Sequence, residues 1–353
     1  MSERGRLSAP GSLEGITGVL SEVAAATQGG EPLAAMAAAH GLRRSAARPP
    51  VGEYVRQIWQ RRHFIMAFAT ARNVAMYTEA RLGQLWQVLT PLLNAAVYYL
   101  VFGLILGTSR GVPDYIGFLV TGIFVFNFTQ RSFITTSRVI NDSLPLIRAL
   151  HFPRASLPLA YVLIELQQLL LSMAVLVVIV LIQGEPVTWY WLLVIPAMAL
   201  QSLFNMGTGL LLARLGAGID DIGQLLPFIV RAWMYASGVM FSIQTISTLR
   251  AHPTIRLLLQ LNPATIYIDL VRNGLLKSQR LSVPGAKPYN AHLCHLYSHI
   301  SFAKHPKAEY YSAYCHAAVS QGDLWIYGAA WAALAVVVGF FVFWEAEARY
   351  GRG

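Results

Sequence analysis

Residues 157–182 read LPLAYVLIELQQLLLSMAVLVVIVLI, a run in which Glu165 is the one charged side chain. At a rise of 1.5 Å per residue it makes a helix of about 39 Å, longer than the roughly 30 Å hydrocarbon core of a bilayer. Backbone amides find no water at that depth, so only helices and closed barrels cross it. Five more apolar stretches flank this one, at 85–107, 115–137, 187–213, 222–247 and 324–344. The expectation is an all-α membrane protein with six transmembrane helices.

Apolar residues make up 55% of the 353-residue chain and charged residues 12%, about half the charged share of an ordinary soluble domain. A formal net charge of +10 could suggest nucleic acid, but the bases are distributed otherwise. Arg43, Arg44, Arg48, Arg56, Arg61, Arg62, Arg72 and Arg81 precede the first span, and Arg138, Arg148 and Arg154 fill the second connection. The third connection, Gln183 to Pro186, has no base. That asymmetry is the positive-inside pattern. It puts the amino terminus, the 138–156 loop, the 214–221 loop and the Arg349/Arg352 tail on the cytoplasmic side, so both termini are cytoplasmic. Arg110 is the one base of the first outer loop.

Residues 1–50 are rich in Ala, Gly, Ser and Arg and lack the apolar core of a cleavable signal. They read as a disordered cytosolic extension. Residues 51–82 follow as an amphipathic interface helix region. In EYVRQIWQRRHFIMAFATAR (53–72), Tyr54, Ile58, Phe64, Ile65 and Phe68 share one side, with Arg56, Arg61 and Arg62 elsewhere. A basic amphipathic helix ahead of a span suits the membrane interface, and a soluble helix capping the bundle is the alternative. The transmembrane domain is 83–353. Arginine outnumbers lysine 23 to 4, and every lysine (Lys277, Lys287, Lys304, Lys307) lies in the fifth connection. A phosphate-binding loop needs lysine beside its glycines, so the chain reads as having no nucleotide site.

Two cytoplasmic connections look structured. In NDSLPLIRALHFPRAS (141–156), Asp142 or Ser143 can cap a short helix that puts Leu144, Ile147 and Leu150 at helical spacing beside Arg148, like a docking knob. In ARLGAGIDDIGQLLP (213–227), glycines break the fourth helix, and Asp220 and Asp221 lie near the amino end of the next, where acidic groups are favoured. Residues 253–276, PTIRLLLQLNPATIYIDLVRNGLL, are apolar but broken at Asn262-Pro263, each half too short to span. They read as a re-entrant half-helix pair before the last span, because interrupted backbone is tolerated where protein or water covers it. One surface helix with a linker is the alternative. Residues 277–322 form a polar extracytoplasmic insert holding Cys294, Cys315 and five of the nine histidines. A Cys294–Cys315 disulfide, an unpaired loop and a metal site all remain open there, although the spacing matches no standard zinc motif and no metal is assigned.

Taken in order, the basic interfacial helix, LGQLWQVLTPLLNAAVYYLVFG (82–103), LIRALHFPRASLPLA (146–160), LNPATIYIDLVRNGLL (261–276) and FWEAEARYG (343–351) resemble the membrane subunit of type-2 ABC exporters of bacterial surface polysaccharides, the group with O-antigen, teichoic acid and galactan exporters. The resemblance covers about 53–276 and 323–353. It implies a homodimer in the bacterial plasma membrane with two copies of a separate ATPase subunit, which binds ATP and Mg, while this chain binds no cofactor. The substrate implied is a lipid-linked glycan; membrane lipid is a further partner and nucleic acid is not. It also implies coupling at Asp142 to Leu150 and around Asp220 and Asp221, and a gate region at Asn262 and Pro263. The resemblance carries no role over to the 1–50 leader or the 277–322 insert.

Charged side chains inside spans are costly and face a bundle interior or a wet cavity. Three occur here: Arg131, Glu165 and Arg231. An arginine fork matches the pyrophosphate of a polyprenyl-linked glycan, and an internal ion pair between Glu165 and one arginine is the competing expectation. Aromatic side chains can cover sugar ring faces; the family's passage runs along the first and fifth spans, which singles out Tyr98, Tyr99, Trp233 and Tyr235. Export of a drug or lipid, or an integral membrane enzyme of glycolipid assembly, are rival readings. Nothing resembles a catalytic constellation, and such an enzyme needs an acidic metal cluster where this chain offers one pair, Asp220-Asp221.

Overall fold

The computed structural model describes residues 50–78, 81–105, 114–149, 152–219, 221–243, 253–280 and 321–347. Among these, every regular element is helical. The leader, most of the insert, Leu150, Asp220, Cys294 and Cys315 lie outside the described residues.

The amphipathic region forms two helices, α1 (Val51–Gln60) and α2 (Arg62–Ala75). The expected single helix is interrupted at Arg61, whose N–H is shared between the carbonyls of Gln57 and Ile58. Tyr54, Ile65 and Ala69 are buried, whereas Trp59 and Met66 are exposed. Ile65 and Ala69 pack on Ala160 and Ile164. The Arg62 guanidinium rests 5.2 Å from the Trp59 ring centroid.

The next helices are α3 (Trp86–Tyr98), prolonged by a π-wound segment Tyr99–Ile105, then α4 (Tyr115–Asp142), the short α5 (Leu144–Ala149) and α6 (Ser156–Ile182). A 3-10 turn, Trp189–Leu193, leads into α7 (Val194–Gly216), followed by α8 (Ile222–Ala236), α9 (Pro253–Gln260), α10 (Pro263–Leu275), α11 (Lys277–Arg280) and α12 (Gln321–Glu345). Among the described residues, four helices are long and apolar enough to cross a membrane: Trp86–Ile105, Ser156–Ile182, Trp189–Gly216 and Gly322–Glu345.

The other two expected spans differ in kind. α4 has the length but holds Arg131, Arg138 and a run of hydroxyl and amide side chains, because it stands at the centre, packed on α6, α7, α8 and α10. Its residues from Gly117 to Phe126 are buried without interruption, so bundle contacts rather than lipid set its composition. α8 ends at Ala236 and not at 247, because the carbonyls of Gly238 and Val239 just beyond it are taken by the Arg272 side chain.

α12 packs chiefly on α7. Where they cross, a Cβ on Gly207 would strike the backbone of Ala335 and Val336, and one on Gly339 the backbone of Gly207. Small residues that let backbones touch are how helices associate when lipid is as apolar as the side chains.

Candidate substrate path and coupling surface

Along α3, Gln87, Pro91, Asn94 and Tyr98 recur at spacings that put them on one helical face. Opposite stand Asn127, Gln130 and Arg131 of α4. Two recesses open along this polar seam and share Asn127. One is lined by Gln87, Pro91, Arg131, Glu165 and Gln168, among others. The other is a cavity of about 250 Å³ to which α3 gives Asn94 and Tyr98, α4 gives Asn127 and Gln130, and α8 gives Arg231, Met234 and Tyr235. Tyr98, Arg231 and Tyr235 are thus brought together, with the amide side chains of Asn94, Asn127 and Gln130 in the same lining. Arg131 lies in the adjoining recess.

Arg131 Nη1 donates to Gln168 Oε1 at 2.7 Å. The expected ion pair of Glu165 is not formed: Glu165 is buried, its Oε2 has no hydrogen-bond partner, and Arg131 takes instead the amide one turn further along α6. Gln168 Nε2 donates to Asn73 Oδ1 at 3.4 Å, Gln87 Nε2 to the same oxygen at 3.0 Å, and Asn73 Nδ2 to Gln167 Oε1 at 3.1 Å. Gln167 Nε2 then donates to Thr70 Oγ1 at 3.0 Å. A chain of amides therefore joins the amphipathic α2 to Arg131. Sequence reading does not single out its members Asn73, Gln87 and Gln168: Gln87 and Gln168 show only as amides in otherwise apolar runs, and Asn73 follows Arg72 in a mixed stretch.

Tyr99 and Trp233 stand apart from the cavity lining. Tyr99 packs on Tyr115 at 6.3 Å between centroids. The Trp233 indole stacks on Phe133 at 5.7 Å, meets Phe126 edge-on, and donates Nε1 to Asn262 Oδ1 at 2.9 Å. Asn262 also accepts from the Ala264 N–H, capping α10 with Pro263 in its first turn, and donates to Ser237 Oγ at 3.1 Å. Trp331 of α12 donates to the Leu261 carbonyl at 2.9 Å. The break between α9 and α10 is thereby pinned to both α8 and α12.

On the expected coupling face, Asp142 is the last residue of α4 and exposed, and α5 follows after Ser143. Within α5, Leu144 is half-buried, Arg148 is exposed, and Ile147 turns inward to pack with Tyr54, Ile140 and Phe343. Asp221 is exposed at the amino end of α8, its carbonyl accepting from Gln224 and Leu225.

The ABC-2 type transporter family profile matches residues 64–276, more than half of the chain. The O-antigen export system permease protein RfbA of Myxococcus xanthus is 25% identical over 209 residues, covering 59% of this chain and 78% of its own length. A protein of the same name from Klebsiella pneumoniae is 26% identical over 212 residues, covering 59% and 79%. Several apolar helices long enough to span make a multi-pass membrane protein, and with the profile match the chain belongs to the ABC-2 type transporter family.

Proposed function

We propose that this chain is the permease subunit of an ATP-driven exporter that moves polyprenyl-linked polysaccharide across the bacterial plasma membrane, powered by a separate ATPase subunit. The observation that carries the reading is the cavity where Tyr98, Tyr235 and Arg231 meet Asn94, Asn127 and Gln130. Aromatic faces and amides suit hydroxylated rings without demanding one register, and a guanidinium suits phosphate oxygens. The relatives' printed role in O-antigen export points the same way.

In this reading the chain crosses the membrane six times with both termini cytoplasmic, α4 and α8 completing the four apolar spans. α9 and α10 form a re-entrant pair guarding the outer exit around Asn262 and Pro263. Two copies associate, and two ATPase subunits carrying ATP and Mg press on α5 through its exposed residues, Arg148 included, with the segment around Asp221 as the secondary contact. Arg131 and Arg231 are successive stations for the pyrophosphate, linked across Asn127. The chain itself transports and does not catalyse.

Depletion in the native bacterium, followed by lipid-linked glycan analysis on each face of the plasma membrane, tests this. Cytoplasmic accumulation of finished lipid-linked glycan is the expected result. Loss of glycan synthesis would instead assign the chain to an enzyme of assembly.

A further inference from the structure

Glu347 lies just beyond α12 and is buried. Its Oε2 accepts from the Tyr54 hydroxyl at 2.7 Å and its Oε1 from the Arg154 backbone N–H at 3.1 Å. The Arg154 guanidinium donates back to the Glu347 carbonyl. Tyr54 Oη accepts in turn from the Ala155 N–H at 3.2 Å. Three segments far apart in sequence meet here: α1, the elbow between α5 and α6, and the chain following the last helix.

An apolar layer underlies the same junction. Tyr54, Ile147, Ala155, Leu157, Phe343 and Ala346 share one cluster, and Ile147 is the buried residue of α5. Apolar packing alone would hold these pieces together. Burying a carboxylate is costly unless its oxygens are matched, and hydrogen bonds add a direction that a greasy contact lacks. One carboxylate accepting from both Tyr54 and the Arg154 N–H thus adds a directional constraint between α1 and the elbow to the apolar packing beneath.

We propose that Glu347 is a positioning residue that makes α1, the exit of α5 and the end of α12 one rigid body, so that a push on α5 swings the amphipathic helix instead of bending the elbow. This rests on the reading of α5 as the contact with the ATPase.

The test uses the permease purified with its ATPase subunit in nanodiscs, with Cys294 and Cys315 changed to serine and spin labels at Gln60→Cys and Ala149→Cys, both exposed positions. The unmodified joint should give one narrow inter-label distance, unchanged between the nucleotide-free and vanadate-trapped states. Tyr54→Phe keeps the ring in its core and deletes the hydroxyl. It should broaden the distance distribution on trapping and cut glycan export in cells about tenfold, with ATP hydrolysis within about twofold of normal. Glu347→Gln, which keeps one accepting oxygen, should fall between. An inter-label distance that shifts on trapping in the unmodified joint, export untouched by Tyr54→Phe, or hydrolysis and export lost in parallel would each overturn the inference. Should no ATPase subunit accompany the permease, the exporter reading fails on its own. The joint is then judged on the isolated permease, where a broader distribution in Tyr54→Phe supports it and equal widths refute it.

Discussion

Arg272 of α10 lies over the ring of Phe118 of α4, its guanidinium carbon 3.4 Å from the ring centroid. From there it donates Nε to the Phe118 carbonyl at 3.1 Å, Nη1 to the Gly238 carbonyl at 3.0 Å and Nη2 to the Val239 carbonyl at 2.8 Å. Asp269 Oδ1 stands 3.5 Å from Nη1. One side chain thus satisfies the two backbone oxygens left over where α8 stops, at Gly238 and Val239, both buried inside the bundle. A lysine is a point charge whose three donors cannot reproduce this planar fork. Arg272→Lys should lower the melting temperature of the detergent-solubilised permease, and Arg272→Met should cost about 3–5 kcal/mol, because it leaves several orphaned carbonyls. A Cβ on Gly122 would collide with the same guanidinium. Gly122→Ala should therefore cost roughly 1–3 kcal/mol, and less than that on the Arg272→Lys background, because the two residues share one space. Full additivity of the two melting shifts would contradict the arrangement.

The bond from Trp233 to Asn262 makes a second separable joint. Trp233→Phe keeps the stack on Phe133 and loses only the indole donor, whereas Asn262→Ala loses the α10 cap and the bond to Ser237 as well. A double-mutant cycle on thermal unfolding should return a coupling of about 0.5–1.5 kcal/mol between them. A value indistinguishable from zero would mean that the break and α8 are held by packing alone.

How much of this is legible in sequence depends on whether the deciding contact is local. The runs that become α6, α7 and α12 declare themselves, since bilayer thickness is a one-dimensional constraint that length and apolarity answer. The end of α8 does not. The one breaker between Ser237 and Ser247 is Gly238, and glycine is common inside membrane helices. What turns Gly238 into a stop, with its positive φ of 61°, is Arg272 from a later element. The break between α9 and α10 is visible at Asn262-Pro263, where cap and proline are adjacent, but its anchoring to Trp233 and Trp331 is tertiary. At the knob, the spacing of Leu144 and Ile147 gives a face without saying which way it looks. Ile147 looks inward, so an aspartate there would unfold the elbow before it tested any contact with a partner. Of the candidate site, Arg231 is legible as a charge inside a span, whereas Tyr98 and Tyr235 are reached only through the family resemblance, which equally points to Tyr99 and Trp233, outside the cavity lining. The amides Asn73, Gln87 and Gln168 are each ordinary alone and gain meaning only when packing joins them.

The crossing of α7 and α12 should tolerate no side chain at Gly207 or Gly339. Backbone lies where either Cβ would go, so the helices must separate to admit a methyl group, losing contact along their length. Gly207→Ala and Gly339→Ala should each cost more than the roughly 0.5–1 kcal/mol that alanine normally gains over glycine within a helix. The expected readout is reduced yield of folded permease and a lower melting temperature. A stabilised Gly339→Ala protein would show that the two backbones are not in contact.

Glu347 gives the tail a pH signature whose sign follows from its surroundings. Burial pushes its carboxyl above the usual glutamate range, and the hydrogen bonds from Tyr54 and Arg154, with the Arg154 charge, only partly offset that rise. The folded protein therefore holds this proton more tightly than the unfolded chain, so stability falls as pH rises from the ordinary value near about 4.3 through the raised one. Below that window the group is neutral in both states and the penalty is absent. Above it the penalty is complete. The solubilised permease should accordingly gain melting temperature as pH is lowered from neutral towards about 5, and Glu347→Gln, neutral throughout, should lose the part of that gain owed to this group. Identical pH profiles for the two proteins would mean that the carboxylate is as well solvated in the fold as in the unfolded chain, and the joint at Tyr54 would then be open to water.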